Sequence, residues 1–567
     1  MKLLLPFLVI LVSVIYGMPN VILYSRFKNE YTPFTLSSTS PIGRDESFAY
    51  GPEVNYILSE RSLLKEIYIK EYSTMPTPFL GESASAATLS FFAFLTSSVP
   101  KAFIIADFIF PPVIFMGLYY FSCKFINNRV FAASAAFATV ISRDFIAVIP
   151  YPLETAKYLL NQENQNYLLY FSRAFQPQIS FLYFLLALIA TLKIINAPKK
   201  ISNTVFLGIT YGLLFYTYVF NWSLFSIFYL CILIIFIARE ELAIVKSMIF
   251  AGIIALCISG YYLFEIYQFY KLPSINDFVA KNSLQNVPIP ATLIRYSFLA
   301  IAFLLTTKKK GLHVYTLFIL LATGVLVTPI SKTLIGQDLE TFHYLRRIIM
   351  PFATIAMFAI IYNLQAKKKY LQNVTAIIFI FIFVTYGFRT QLIATDKIAA
   401  SHKKDTDLES VFYWINHNTP KNSVVASLNP NFSSLIPLHT RNYTYFPPTD
   451  RTIMPTYEGV ERYKILNQIL GTDENWQKKN IDTLVSYMFV YQSYDDMRNL
   501  HLDSERRHEA ERQMDILNEN DNWKMKVNKY QIDYIITTPD ELININPDPK
   551  YLKFITSINQ YLIFKKI

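Results

Sequence analysis

Long apolar stretches repeat along the first 390 or so residues, and they restrict the chain to folds that can place such stretches in lipid. Examples are "FLYFLLALIATL", beginning at Phe181, and "VTAIIFIFIFVTYGF", beginning at Val374. A membrane-spanning helix needs about 20 mostly apolar residues. Only 16% of the 567 residues are charged, whereas soluble proteins carry roughly 25%. The sequence therefore predicts a polytopic α-helical membrane protein.

We expect about eleven membrane spans, counted from a cytoplasmic N-terminus. Their approximate positions are 3–19, 101–122, 130–149, 178–196, 203–219, 222–238, 244–264, 291–307, 312–330, 348–364 and 372–390. With this number and order of spans, the short loops that are rich in lysine and arginine all face the cytoplasm, as the positive-inside rule requires. The opening "MKLLLPFLVILVSVIYGM" also has the basic start and apolar core of a signal peptide, but no clear small-x-small cleavage site follows.

The same order of spans places a long first loop, residues 19–100, and the C-terminal third outside the cytoplasm. Within that loop, "ASAATLSFFAFLTSSV" (84–99) is apolar enough for a re-entrant or interfacial helix. We predict two domains, a transmembrane domain over 1–398 and a soluble extracytoplasmic α/β domain over 399–567. In the second, "SVVASL", "NYTYF", "YQIDYIITT" and "YLIFKKI" indicate strands, and "DLESVFYWINHNT" and "DSERRHEAERQMDIL" indicate helices.

The net charge of +11 does not indicate a nucleic-acid partner, because lysine and arginine concentrate in the short gaps between spans. The three cysteines, Cys123, Cys231 and Cys257, lie in or beside apolar segments with no CxxC spacing. No disulfide or structural zinc site is therefore predicted. The seven histidines form no HExxH pattern, and no P-loop, GxGxxG or GxSxG motif occurs.

Two adjacent carboxylates, Asp45 and Glu46, stand out in "GRDESFAYGPEVNYI", early in the first external loop. They either belong to a solvated loop balanced by Arg44, or act as a general base, with or without a divalent cation such as Mg²⁺ or Mn²⁺ held by their oxygens. Glu53 follows Gly51-Pro52 and would sit in the first turn of a helix, where the helix dipole accounts for an acid.

This segment, one span into the chain and followed by many spans and an external tail, resembles the GT-C superfamily of integral-membrane glycosyltransferases. "FSRAFQPQISFLYFLLALI" (171–189) and "FHYLRRIIMPFATIAMF" (342–358) also resemble segments of bacterial members. The resemblance implies inverting transfer of a sugar from a polyprenyl-phosphate or polyprenyl-diphosphate carrier to an extracytoplasmic glycan, lipid or protein acceptor. It implies that Asp45, supported by Glu46, is the catalytic base. The WWD motif of oligosaccharyltransferases is absent, which leaves the acceptor open.

Such a transfer also needs cations that bind the carrier phosphate. Arg346 and Arg347 lie where the fourth external loop enters the membrane, and Arg173 lies at the end of the second. Arginine binds phosphate through a fork of donors, although interfacial arginines also snorkel without any such role. We predict Arg346, Arg347, Arg173 and His343 as donor phosphate-binding residues, with a purely structural role as the alternative for His343.

Two other functions use similar features. A polysaccharide polymerase or ligase also uses polyprenyl-linked sugars and external arginines, but more often keeps its large functional loop late in the span order. A transporter or flippase would show charges in mid-span or paired broken helices. Asp107 is the clearest mid-span acid, and no inverted repeat is evident.

Overall fold

The computed structural model describes residues 3–35, 46–142, 168–281, 292–307, 311–335, 343–365, 368–447, 451–479, 508, 511, 512, 515, 522–539, 541 and 545–567. Asp45, one half of the acidic pair, lies outside the described residues. Glu46 and the four predicted phosphate-binding residues lie within them.

Fourteen helices precede the C-terminal region in the described part of the chain. They are α1 (Leu4–Phe27), α2 (Gly51–Glu60), α3 (Ser83–Thr96), α4 (Val99–Ser122), α5 (Arg129–Ile141), α6 (Ser180–Asn196), α7 (Ile201–Leu214), α8 (Val219–Ala238), α9 (Leu242–Phe269), α10 (Ile275–Lys281), α11 (Thr292–Thr306), α12 (Leu312–Ile335), α13 (Met350–Leu364) and α14 (Lys369–Ile398).

Eight helical segments of the described chain are long and apolar enough to cross a membrane. They are Leu4–Glu30, Pro78–Thr96, Val99–Ser122, Ala174–Asn196, Val219–Ala238, Leu242–Phe269, Tyr344–Leu364 and Lys369–His402. Seven of them coincide with predicted spans, and four shorter apolar helices, Arg129–Ile141, Ile201–Leu214, Leu293–Thr306 and Leu312–Val327, coincide with the other four. The expected polytopic helical architecture is confirmed.

The remaining segment, which contains α3, is better explained as an interfacial or re-entrant helix than as a span. The antiparallel pair α1 and α4 brings Asn20 Nδ2 within 2.8 Å of Asp107 Oδ2 and packs Leu23 in a cluster with Ile104. The end of α1 and the start of α4 are therefore on the same face of the membrane. The 14 residues of α3 extend about 21 Å at 1.5 Å per residue, less than the roughly 30 Å of a bilayer core.

Segments predicted to share the external face do contact one another. Tyr31, just after α1, forms an antiparallel bridge with Lys403, just after α14. Asp277 of α10 accepts a 2.8 Å hydrogen bond from the hydroxyl of Thr456, in the C-terminal region. The gaps predicted to face the cytoplasm also contact one another, through three side-chain pairs: Asn128–Asn373, Asn196–His313 and Asn363–Thr307. The contacts thus reproduce the two predicted groups of loops.

The C-terminal region contains a five-stranded mixed sheet in the order β2-β1-β3-β5-β4. Its strands are β1 (Val424–Ala426), β2 (Tyr443–Thr444), β3 (Tyr534–Thr537), β4 (Leu552–Ile558) and β5 (Tyr561–Lys566). Strand β1 runs parallel to β2 and β3, and β5 runs antiparallel to β3 and β4. Four of the strands were predicted, and β4 was missed. Its pairing with β5 begins at a tight turn where Asn559 has a φ of 52°, a conformation that asparagine tolerates.

Five described helices accompany this sheet: α15 (Thr406–Asn418), α16 (Pro430–His439), α17 (Thr456–Leu470), α18 (Glu474–Lys479) and α19 (Asn522–Lys526). Helix α15 confirms the predicted "DLESVFYWINHNT" helix, and the side chain of Asp405 caps it by accepting from two backbone amides. The second predicted helix, over 503–517, lies mostly outside the described residues.

A hydrophobic cluster joins the membrane helices to the C-terminal region. Phe103 of α4 and Phe175 belong to the same buried cluster as Phe412 of α15, Phe432 of α16 and Ile563 of β5. Burial of apolar area contributes roughly 25 cal/mol per Å², so this shared cluster holds the two predicted domains against each other. The polar site described next lies beside it.

Candidate functional site

Three short turns lie at or beside the predicted site residues. Two are π-helical, and the one at Ala174–Ile179 is irregular because Gln176 is extended in it, with φ of −134° and ψ of 116°. The turns are Glu46–Tyr50, before α2, Ala174–Ile179, before α6, and Tyr344–Ile349, before α13. Arg173 directly precedes the second turn, and Arg346 and Arg347 lie in the third. π-Helical turns are rare and occur frequently at functional sites. Here each one opens a helix, where it sets the direction in which the polar side chains point.

Glu46 and Arg173 form a partly buried ion pair, a contact that was not predicted from the sequence. Arg173 Nε lies 2.9 Å from Glu46 Oε1, and the Glu46 side chain is only 8% exposed. The other oxygen, Oε2, is buried and has no hydrogen-bond partner among the described residues. A predicted base and a predicted phosphate ligand are thus adjacent, and one carboxylate oxygen is left to accept a proton.

Gln176 is the centre of the hydrogen-bond network. Its Oε1 accepts from the hydroxyl of Tyr50 at 2.9 Å and from Nη1 of Arg347 at 3.0 Å. Its Nε2 donates to Glu82 Oε1 at 2.9 Å. Gln176 has no exposed surface, so these bonds satisfy its amide as a buried polar group requires. One side chain therefore links the first loop, the turn before α6 and the turn before α13.

Aromatic rings fix the guanidinium groups around this centre. Tyr50 stacks on Phe175 with ring centres 4.2 Å apart, and the guanidinium carbons of Arg451 and Arg173 lie 5.1 and 6.0 Å from the centre of the Tyr50 ring. The Arg347 guanidinium carbon lies 5.4 Å from the ring of Tyr218. These are cation–π distances. Three arginines from three separate segments thus converge on one small region.

Two further carboxyl groups, Glu53 and Glu82, adjoin the network. Glu53 lies in the first turn of α2, as predicted, but it is 3% exposed and hydrogen-bonds with Glu82. Burial, reinforced by the Glu82 carboxylate, raises the pKa of Glu53 well above its usual range, and nearby Arg451 offsets only part of this rise. Arg451 Nη1 lies 3.4 Å from Glu82 Oε2. Glu53 therefore adjoins both a second carboxyl group and an arginine of the network.

Of the two adjacent arginines in the third turn, the structure brings one to the network. Arg347 is half-buried and contacts Gln176, whereas Arg346 is exposed. His343 is buried, and its Nδ1 lies 2.6 Å from the hydroxyl of Tyr218. His343 therefore lies one side chain away from Arg347, behind Tyr218.

Asp107, the mid-span acid, is hydrogen-bonded to α1 and, through Gln178, to the turn before α6. Its carboxylate accepts from Asn20 at 2.8 Å and from Gln178 at 2.6 Å, and the Tyr31 hydroxyl donates to the Asn20 side chain. Buried polar groups in a membrane span need such partners. These contacts give Asp107 a structural role and offer no support for a transport pathway.

Metal binding was predicted through Asp45 and Glu46. No three His, Cys, Asp or Glu side chains in the described part of the chain are grouped closely enough to hold a metal ion. Oxygen ligands suit Mg²⁺ and Mn²⁺, and Glu46 offers one unpartnered oxygen. The metal site stays a prediction.

Sequence reasoning missed Gln176, Tyr50 and Arg451 as members of the site, and the helix dipole alone does not describe Glu53. The "QPQ" at 176–178 was a usable signal, because amide side chains at the start of an apolar span need buried partners. Arg451 had no local signal, since its neighbours in the chain resemble an ordinary loop.

Comparison with solved structures matches the chain to two membrane enzymes. ArnT from Cupriavidus metallidurans, bound to undecaprenyl phosphate, has a TM-score of 0.49 at 9% identity over 98% of each chain. The oligosaccharyltransferase of Archaeoglobus fulgidus in the apo form has a TM-score of 0.48 at 10% identity over 95% of this chain and 70% of that one. Both are glycosyltransferases of the GT-C superfamily. No family model matches the chain, and no curated protein matches its sequence.

Proposed function

We propose that the protein is an inverting membrane glycosyltransferase of the GT-C type that takes a sugar from a polyprenyl-phosphate or polyprenyl-diphosphate carrier. One observation carries the proposal. A carboxylate with an unpartnered oxygen, Glu46, is paired with Arg173, and Arg347 approaches the same region through Gln176 and Tyr50. This arrangement supplies both parts that the reaction needs, a proton acceptor and cations for a phosphate.

In the proposed reaction, an acceptor hydroxyl attacks the anomeric carbon of the sugar and loses its proton to a carboxylate. The bond between the sugar and the carrier phosphate breaks, and the phosphate leaves with the bonding electron pair. Asp45 is the proposed base, and Glu46 supports it. Arg173 and Arg347 stabilise the charge that develops on the phosphate, because guanidinium groups bind phosphate oxygens in a fork.

The face that carries the site is extracytoplasmic in this proposal. The first loop, α10 and the C-terminal region contact one another on that face, and the basic gaps Lys193–Lys200 and Arg239 belong to the opposite one. The carrier phosphate would lie at headgroup depth, where helices α4, α6 and α13 begin. Residues 399–567 cover the site from outside, and a glycan, lipid or protein acceptor would enter beside them.

The test uses purified protein in nanodiscs with polyprenyl-phospho-glucose and polyprenyl-phospho-mannose in turn, and measures release of polyprenyl phosphate. Direct binding of unlabelled polyprenyl phosphate and polyprenyl diphosphate gives a readout that does not depend on the sugar. Asp45→Asn should lower release by about 10²- to 10⁴-fold, the usual contribution of a general base, and should leave carrier binding unchanged. Glu46→Gln should cost less than Asp45→Asn.

The matched control is Glu30→Gln, an acid of the same loop whose exposed side chain pairs with Lys403 at 3.2 Å. It should keep wild-type activity. Loss of activity on adding EDTA, restored by Mg²⁺ or Mn²⁺, would select the metal-assisted version of the mechanism. If the wild-type protein binds neither carrier, or if Asp45→Asn and Glu46→Gln both keep full activity, the proposed function is wrong.

A further inference from the structure

Glu66 joins the first loop to the C-terminal region through four hydrogen bonds. Its Oε1 accepts from the backbone amides of Tyr68 at 3.0 Å and Ile69 at 3.3 Å. Its Oε2 accepts from the hydroxyl of Thr452 at 3.0 Å and the backbone amide of Ile453 at 3.1 Å. The side chain has no exposed surface. Oε1 therefore binds residues 68 and 69 of the first loop, and Oε2 binds residues 452 and 453 of the C-terminal region.

The segment held by Oε2 follows directly on Arg451. Met454 fixes the same segment from the other side, since it packs in a buried cluster with Ile67, Tyr68 and Ile69. Arg451 itself reaches the site, where it lies beside Glu82 and over the ring of Tyr50. The position of its guanidinium group thus depends on a contact one residue away, made by a buried acid of the first loop.

We propose that Arg451 is a third arginine that binds the donor phosphate, and that Glu66 is the positioning residue that holds it there. This inference rests on the proposed function, because it needs a carrier phosphate in the site. It makes the C-terminal region a contributor to the phosphate site in addition to a cover for it.

The chemistry of Arg451 supports this assignment. A guanidinium group carries five N–H donors in a planar fork that suits phosphate oxygens, and its contact with Glu82 Oε2 is long, at 3.4 Å. Glu82 is also shared, because it accepts from Gln176 and hydrogen-bonds with Glu53. The Arg451 side chain is 18% exposed, so it lies at the edge of the network, where a ligand can reach it.

Glu66 can accept all four bonds only as a carboxylate. Burial raises the pKa of Glu66 to about 7, although its hydrogen-bond donors act to lower it. The experiments below are therefore set at pH 8, where the carboxyl group is largely ionised. Glu66→Gln keeps an acceptor for one segment and turns an N–H₂ group toward the other, so it separates the two connections without opening a cavity.

The experiment measures the Kd for polyprenyl phosphate of four proteins, the wild type, Arg451→Ala, Glu66→Gln and the double variant. Arg451→Ala should raise Kd about tenfold or more, as expected for loss of a charge-assisted hydrogen bond. Glu66→Gln should raise Kd several-fold in the wild-type background and have no effect in the Arg451→Ala background. A residue that merely stabilised the fold would weaken binding by the same factor in both backgrounds.

Glu71→Gln is the matched control, because Glu71 also joins the first loop to the C-terminal region, through Arg462 at 3.2 Å, but lies outside the site. It should leave Kd unchanged. If Glu66→Gln does not fold, Thr452→Val removes one of the same bonds and should raise Kd by a smaller factor. If the wild type binds the carrier and Arg451→Ala binds it equally well, the inference fails and the proposed function stands. Multiplicative effects of Glu66→Gln and Arg451→Ala would refute the positioning role.

Discussion

The adjacent arginines 346 and 347 allow a test in which each residue is the control for the other. Arg347 is half-buried and donates to Gln176 at 3.0 Å, with Tyr218 beneath its guanidinium group, whereas Arg346 is exposed. Arg347 is thus held in the direction of the site. A charge-assisted hydrogen bond contributes about 1.5–3 kcal/mol, and each 1.4 kcal/mol changes an affinity about tenfold. Arg347→Ala should therefore raise the Kd for polyprenyl phosphate about 10- to 150-fold.

The assay compares Arg347→Ala and Arg346→Ala by equilibrium binding of polyprenyl phosphate in nanodiscs of zwitterionic lipid. Neutral lipid matters, because in an anionic bilayer either arginine would change the local concentration of the ligand through surface charge alone. Arg346→Ala should stay within about twofold of the wild type, as a snorkelling side chain would. Arg347→Lys should recover little, since an ammonium group cannot reproduce a planar fork.

Equal losses in the two alanine variants would refute the reasoning from side-chain direction. They would show that both arginines act on the carrier as a general positive potential at the interface. Wild-type affinity in both variants would remove this turn from the phosphate site and leave Arg173 and Arg451 as its cations.

The fold and the protonation of the site give three more predictions. A reporter fused after Ile567 should be active only when exported, and one fused after Lys309 only in the cytoplasm; the reverse pattern would place the site on the wrong face. Arg462→Met breaks a buried ion pair of 2.8 Å and should lower the free energy of unfolding by about 3–5 kcal/mol. Lys404→Met breaks a half-exposed pair and should lower it by under about 1 kcal/mol. Both values are measured by thermal and denaturant unfolding in detergent, and similar losses in the two variants would contradict the burial argument. The folded-state pKa of Glu53 is raised, so its contribution to stability is present below the ordinary glutamate pKa. That contribution is lost as pH rises through the raised pKa. The melting temperature should therefore fall over that pH range in the wild type and fall less in Glu53→Gln.

Apolar periodicity and charge parity were sufficient to predict the helices. Each predicted span coincides with a helix because an 18- to 20-residue apolar run has few other stable states in lipid. The predicted order of the spans also placed Tyr31 and Lys403 on the same face of the membrane, and the two residues form a bridge although they are 372 positions apart in the chain. Strand β4, by contrast, was missed because the side chains of "LKFITSI" are mostly exposed or half-exposed, so it lacks the buried alternation that reveals a strand.

The site was only partly predictable for a physical reason. Glu46, Arg173 and Arg347 were identified because charge is conspicuous in an apolar chain, and the structure brings these three to one network. Gln176 and Arg451 acquire their roles from partners distant in sequence, and no local pattern encodes such partners. Asp45 stays a prediction, since it lies outside the described residues.

The proposed role of Arg451 determines when, during synthesis, the site can be completed. Glu46 and Arg451 are 405 positions apart in the chain. At a synthesis rate of about 5–20 residues per second, roughly 20–80 s pass between the appearance of the first carboxylate and that of the last arginine. In the proposed topology the first loop precedes all three arginines in the chain, so its acid can meet Arg173, Arg347 and Arg451 only in that order. In the proposed function, the nascent chain therefore cannot consume lipid-linked sugar before Arg451 has been added.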